Sequence, residues 1–187
     1  MRFLKRLAAR VLRDSRLCTL LTIQRQGYKL RFHPSSFSAG LWVDPGMAVR
    51  DEVFVRRYLR PGDVMVDIGA NIGTMTLTAA ATVAQVFSIE AHPRTFKYLK
   101  ENVELNGRTN VHLLNVALGA EASTMRFSNL RDDDLNHIAE DGLIPVPVVP
   151  LDELSFPTIA LLKIDVEGFE KFVFEGGKNT LGKVSCV

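Results

Sequence analysis

The sequence predicts an α/β fold built on a doubly wound, mainly parallel sheet, and three observations predict it. From residue 64 onward short apolar strands alternate with amphipathic helices. A glycine-rich turn, Gly69 to Gly73, sits between the first of those strands and the helix that follows. An acidic residue, Glu90, closes the next strand, 21 residues after Gly69. A repeated strand–helix–strand order closes into a parallel sheet, because each crossover helix returns the chain to the same edge with a right-handed turn.

The 187 residues suffice for one domain with a substantial core. With 47% hydrophobic and 24% charged residues the composition is that of an ordinary globular protein. A net charge of +2 gives no electrostatic footprint for nucleic acid, so no nucleic-acid partner is expected. Two cysteines, Cys18 and Cys186, make no disulfide framework, and no Cys/His cluster has zinc spacing; no metal and a reducing, cytoplasmic setting are expected. No apolar run approaches the roughly 20 residues that span a bilayer.

Residues 1–46 read as an N-terminal unit. Met1 to Thr22 intersperses Arg2, Lys5, Arg6, Arg10, Arg13 and Arg16 with Phe3, Leu4, Leu7, Val11 and Leu12, the spacing of a basic amphipathic helix. Arginines interrupt every stretch that could form the apolar core of a signal peptide. The helix either packs its Leu/Val stripe on the domain or lies on an anionic membrane surface; an organellar presequence is a third reading. Gln26 to His33 alternates as a half-buried strand, and Pro34 to Gly46, with Trp42, reads as a loop.

Residues 47–187 read as the ligand-binding domain. A helix over Met47 to Arg60 stops at Pro61-Gly62. Strands follow at Val64 to Ile68, Val86 to Glu90 and Val111 to Ala117, separated by helices over Thr74 to Ala84 and Pro93 to Asn106. Between Gly119 and Pro157 the rhythm breaks: Ser123 to Phe127 is a short strand, Asn129 to Asp141 is polar, and Ile144 to Val149 is extended. Such an insertion between core strands is either a substrate-side element or a loop. Ile159 to Val166 resumes the core, Phe169 to Glu175 starts a helix, and Val184 to Val187 is a strand only begun.

Three constellations carry chemistry. Asp67-Ile-Gly69-Ala70-Asn71-Ile-Gly73 turns at the carboxyl end of a parallel strand, where glycine permits close approach of a ligand to the backbone. Glu90 stands beside that turn, where its carboxylate can accept hydrogen bonds from both hydroxyls of a ribose. The glycine spacing is G-x-N-x-G rather than the G-x-G-x-x-G that meets a pyrophosphate, and no G-x-x-x-x-G-K-[ST] loop occurs. A ligand with a ribose and no phosphate therefore fits better than NAD. S-adenosyl-L-methionine is such a ligand, and Asp67 can meet its amino-acid end directly or through water. Third, Lys163-Ile-Asp165-Val-Glu167-Gly168-Phe-Glu170 clusters carboxylates where a core strand ends. Asp165 and Glu167 are either helix-start acids or catalytic groups that take a proton from, or bind, an acceptor hydroxyl. His92 and His137 are rival bases, though a lone histidine in a polar loop is more often simply solvated.

These motifs, with Glu101-Asn102 to Gly107 and Val116-Ala117-Leu118-Gly119 between them, resemble the FkbM-type methyltransferases. The match runs from about Glu52 to Gly177. The resemblance implies a Rossmann-like domain of the class I methyltransferase type, dependence on S-adenosyl-L-methionine, and O-methylation of a hydroxyl on a small metabolite or glycan. It implies Asp67, Gly69, Ala70, Asn71 and Gly73 around the methionine part of the cofactor, Glu90 on the ribose, and the Asn115 to Leu118 region, Ala117 included, near the adenine. Asp165 and Glu167 fall close to where the methyl group leaves. Sheets of that family continue with further strands, so the C-terminal end is expected to be truncated. The alternatives are an inactive cofactor-binding module, completion by a partner chain, or a homo-oligomer.

Overall fold

The computed structural model describes residues 2–15, 17–128 and 142–187. The polar stretch from Asn129 to Asp141, and with it His137, lies outside the described residues.

The chain opens with α1 (Arg2–Ser15), a 3-10 turn (Leu17–Leu20), and an antiparallel hairpin of β1 (Thr22–Arg25) and β2 (Tyr28–Arg31). Two helices follow, α2 (Ser36–Val43) and α3 (Val49–Tyr58). The expected single strand over Gln26 to His33 is thus one arm of a hairpin that turns at Gly27, whose φ is +86°. The stretch read as a loop is mostly α2. Its signal is the Ser35 side chain, which accepts from the Ser38 amide at 3.1 Å and satisfies one free donor of the first turn. Leu41 buries the helix in the core.

Of the readings of α1, packing of its Leu/Val stripe on the domain is not what the structure shows. The helix meets the body through Ala9, Leu12 and Arg13, whose guanidinium donates to Ser36 Oγ at 3.2 Å. Phe3, Leu4, Leu7 and Val11 face outward. Ala9 brings the helix close with only a methyl group to accommodate, and its core neighbours include Cys18, Leu30, Phe32 and Leu41. That same cluster contains Ile72, Leu77, Leu99 and Val103, so the N-terminal segment shares a core with the ligand-binding domain.

The central sheet has the order β5-β4-β3-β9, with β3 (Val64–Ile68), β4 (Gln85–Ile89), β5 (Val111–Leu114) and β9 (Leu161–Ile164) all parallel. Every residue of β3 is buried, as its central place requires. On one face Met65, Val86 and Leu161 pack on Val55 of α3, on Leu59 just past its end, and on Met75 and Ala79 of α4 (Thr74–Ala80). On the other, Val66, Ile68, Ile89 and Leu162 pack on Leu118, Leu151 and Val173 of α6 (Glu170–Glu175). Helix α5 (Pro93–Leu105) crosses between β4 and β5.

The expected third strand is split. After β5 the chain leaves the main sheet, and β6 (Ala117–Leu118) joins β7 (Ser123–Phe127) and β8 (Ile144–Val149) in a second sheet ordered β6-β8-β7. A last short helix, α7 (Lys178–Leu181), precedes Val184, which forms a parallel bridge with Ile159. The segment expected to begin a strand at Val184 is an isolated bridge beside β9, where the Leu162 amide donates to the Cys186 carbonyl at 2.9 Å. The sheet order reverses between β3 and β9: β4 and β5 extend to one side of β3, and the chain returns on the other. Ligands of doubly wound sheets bind in the crevice outside the carboxyl ends at such a point.

Candidate active site at the sheet reversal

A cavity of about 820 Å3 opens at that crevice, within the size range of small-molecule and cofactor sites. Gly69, Ala70 and Asn71 form one wall, Glu90 and His92 a second, Ala117 and Phe127 a third, and Lys163, Asp165 and Glu167 a fourth. Four separate segments thus bring sequence-predicted residues to one space, and Phe127 joins them from a fifth. Met47, Asp51 and Phe54, from the approach to α3 and that helix itself, complete the lining and were absent from the sequence reading.

The turn after β3 is held tightly. Gly69 has φ +72°, and a Cβ there would run into the Asp165 carbonyl oxygen. The amides of Gly69 and Ala70 both donate to the Ile89 carbonyl, at 2.9 and 3.0 Å, which binds the turn to the end of β4. Asn71 adopts φ +50°, and its Oδ1 accepts from the Ile72 amide at 2.8 Å; asparagine tolerates this left-handed conformation better than most residues. Gly73, at φ +95°, does not line the cavity; a Cβ would lie 2.8 Å from Leu99 Cδ1, so its glycine serves the packing of α4 against α5.

Glu90 sits one strand over. Its Oε2 accepts from the Asn71 amide at 3.0 Å and its Oε1 from the His92 amide at 2.9 Å. Both oxygens keep a second lone pair. Burial pushes the carboxyl up to about 7, against the opposing pull of those two amides and of Lys163. A carboxylate with spare acceptor capacity at the cavity wall suits two adjacent hydroxyls. Asn115 fixes the next loop by donating to the Glu90 carbonyl at 2.8 Å and the Ala91 carbonyl at 3.0 Å, which sets Ala117 beside the same space.

Asp67, expected to meet the amino-acid end of the cofactor directly or through water, does not itself line the cavity. It is fully buried behind the turn, where Oδ2 accepts from Thr76 Oγ1 at 2.7 Å, and Thr76 in turn shares a 2.8 Å hydrogen bond with Ser88. Oδ1 makes no hydrogen bond with the described residues and faces Lys163 Nζ at 3.4 Å. Lys163, directly opposite Asp67 in the β3–β9 register, also donates to the Gly69 carbonyl at 2.8 Å and lies 3.5 Å from Asp165 Oδ2. One ammonium therefore ties the buried acid, the glycine turn and the cavity acid together. In the sequence Lys163 stands within the third motif without a signal of its own for this role.

Asp165 and Glu167 both reach the cavity and are both exposed. Glu167 has φ +50°, in a loop closed by Glu170, whose Oε1 accepts from the amides of Val166 at 3.3 Å and Gly168 at 3.2 Å. Amide hydrogen bonds, at its own backbone and at those two residues, hold the Glu170 carboxyl below its usual range, so Glu170 is the helix-start acid and not a base. His92 is not solvated: it is buried, its Nδ1 accepts from the Arg94 amide at 3.3 Å, and it caps α5. Burial, with Arg94 nearby, brings its imidazole down to about 4, and with Nδ1 committed to the Arg94 amide its place is that of the α5 cap. Among the described residues no group of three or more His, Cys, Asp or Glu could hold a metal ion.

The Methyltransferase FkbM domain matches residues 67–187, from the buried acid of β3 to the end of the chain. The chain belongs to the FkbM methyltransferase family. It is 31% identical over 131 residues to the hexuronic acid methyltransferase AglP of Haloferax volcanii, covering 67% of this chain and 54% of that one. It is 30% identical over 154 residues to the 2-O-methyltransferase NoeI of Sinorhizobium fredii, covering 68% and 63%. The FkbM domain described here therefore spans about half to two thirds of the length of these relatives. Among solved structures it is similar to methyltransferase FkbM from Methylobacillus flagellatus KT, at 15% identity over 76% of this chain and 39% of that one, with a TM-score of 0.48.

Proposed function

We propose that this FkbM domain binds S-adenosyl-L-methionine and directs its methyl group to a hydroxyl of a sugar or another small hydroxylated metabolite. The observation that carries the reading is the Glu90 carboxylate. It is anchored by two backbone amides beside the glycine turn, with acceptor capacity left over on the cavity that Asp165 and Glu167 also line. The residues present fit the cofactor. Glu90 would take the ribose hydroxyls, Gly69 to Asn71 leave backbone open to the methionine portion, and Ala117 and Phe127 offer an apolar wall for adenine. No phosphate-cradling glycine pattern competes.

The cofactor supplies a methyl group already activated on a positively charged sulfur. What remains for the protein is to hold a hydroxyl oxygen in line with it and to receive the hydroxyl proton. Alignment of two bound reactants supplies up to about 7–11 kcal/mol of barrier lowering. Asp165 and Glu167, like Asp51, are exposed carboxylates on the cavity, and either of the two after β9 can accept that proton or a hydrogen bond from the hydroxyl. AglP and NoeI, by their names a hexuronic acid methyltransferase and a 2-O-methyltransferase, support a sugar hydroxyl as the acceptor. Among the described residues no helix is long and apolar enough to cross a membrane.

The test separates cofactor from acceptor. Titration calorimetry should detect S-adenosyl-L-methionine binding, and labelled-methyl transfer to uronic-acid oligosaccharides should report turnover. Asp165→Asn and Glu167→Gln should keep cofactor affinity within a few-fold while at least one lowers turnover by about 100-fold or more. Unchanged turnover in both variants rejects the assigned roles. Cofactor binding with no transfer to any hydroxyl acceptor leaves a binding module.

A further inference from the structure

Helix α1 is attached to the body by the wrong side for a helix whose only task is to fill the core. At 100° per residue Phe3, Leu7 and Val11 form one stripe with Leu4 beside it, about 12 Å from end to end. These four side chains are 77%, 53%, 60% and 69% exposed. The opposite side, at Ala9, is buried in the core. Arg6 and Arg10 run along one edge of the stripe, both exposed, and Lys5 lies beyond the other. The turn after the helix adds Leu17 and Leu20, also exposed. Over residues 1–16 the sequence has six basic residues and one acid, Asp14.

We propose that α1 docks this protein on an anionic bilayer surface, with the Phe3-Leu4-Leu7-Val11 stripe in the headgroup–acyl boundary and Lys5, Arg6 and Arg10 on lipid phosphates. Two features favour a bilayer over a protein partner. One edge of the stripe carries the exposed cations Arg6 and Arg10, with Lys5 further round the helix. The helix is anchored to the core through Ala9 and Leu12, so the apolar side is presented outward by the fold. Phenylalanine and leucine on one face with lysine and arginine at its flanks is the composition of helices that lie in a membrane interface. Lone exposed leucines need no explanation, but an aligned row of four on a basic helix does. The inference is independent of the proposed methyl transfer.

Co-sedimentation of the full chain with vesicles tests it. The protein should pellet with phosphatidylcholine–phosphatidylglycerol vesicles, pellet far less with phosphatidylcholine alone, and be released from the mixed vesicles by high salt, which screens the phosphate contacts. Leu7→Glu and Val11→Glu should each weaken partitioning about tenfold or more. Arg6→Glu with Arg10→Glu should abolish the preference for phosphatidylglycerol. Because these side chains are exposed, the variants should melt with the wild type, and thermal denaturation checks that they do. The proposal is overturned if the wild type stays in the supernatant with the mixed vesicles, or if Leu7→Glu and Val11→Glu pellet like the wild type. It is overturned equally if the stripe proves to join two copies: a wild-type dimer in gel filtration that Leu7→Glu converts to monomer, with no vesicle binding by either.

Discussion

Removing the charge of Lys163 should unfold the site from behind. In Lys163→Met the buried Asp67 carboxylate loses the cation 3.4 Å from Oδ1 and keeps a single donor, Thr76 Oγ1. At an effective dielectric near 20 a pair at that distance attracts by roughly 5 kcal/mol before any desolvation is subtracted. Breaking a fully buried pair from one side costs about 3–5 kcal/mol. Lys163, however, keeps 26% of its side chain in contact with solvent, so the expected loss is at the lower end, about 2–3 kcal/mol. Asp67→Asn removes the charge while retaining an acceptor for Thr76. The double variant should therefore be more stable than the two single losses together predict, by about 2 kcal/mol.

Urea unfolding of the four proteins, followed by far-ultraviolet circular dichroism, measures that coupling. The Gly69 carbonyl loses its Lys163 donor in both lysine variants, so this contribution cancels from the cycle. A coupling under about 0.5 kcal/mol would refute the pairing. Lys163→Met should also weaken cofactor binding in the folded fraction, because the same ammonium holds the Gly69 carbonyl.

Three further outcomes follow from the same geometry. Glu90→Gln should weaken S-adenosyl-L-methionine binding by about 10- to 100-fold, the loss of one charge-assisted hydrogen bond. Since the ionised carboxylate is the form that accepts from two hydroxyls, wild-type affinity should rise as pH climbs through about 7, while the glutamine variant stays flat by calorimetry. Without cofactor the sign reverses. The folded chain holds that proton up to about 7 and the unfolded chain releases it near 4.5, so Glu90's contribution to stability falls as pH rises between those values in thermal melts. Gly69→Ala should cost about 2 kcal/mol or more, because alanine must both adopt a positive φ and displace the Asp165 carbonyl; a melting temperature equal to the wild type's would contradict it. Finally, Trp42 packs on Phe32, 5.8 Å between ring centroids, in the cluster that also holds Ile72 and Leu99. Its fluorescence and the circular dichroism signal should change at one urea concentration; two separated transitions would show that residues 1–46 fold apart.

The parallel sheet was readable because β3, β4 and β9 are apolar runs bounded by turn residues, and nothing but a sheet covered on both faces accepts them. Helix α2 was not, because Ser36 to Val43 contains two serines and a glycine, and its stability comes from burying Leu41 and Ser38 rather than from propensity. The outward stripe of α1 was equally hidden: hydrophobic spacing reveals that a helix has two sides and says nothing about which one the body will take. Ala9 decided that, through a contact that small side chains allow and periodicity does not register. The site divides the same way. Gly69, Asn71 and Glu90 announce themselves by chemistry at strand ends, whereas Asp67 and Lys163 are defined by each other. Each is a lone charge in a strand that is otherwise apolar, and a charge so placed requires a partner. Two such residues on different strands of one sheet were therefore a pairing signal in the sequence itself. Their register, Asp67 opposite Lys163, turns that signal into a structural role: whatever Asp67 contributes to a cofactor, it is also the counter-ion that holds the lysine beneath the turn.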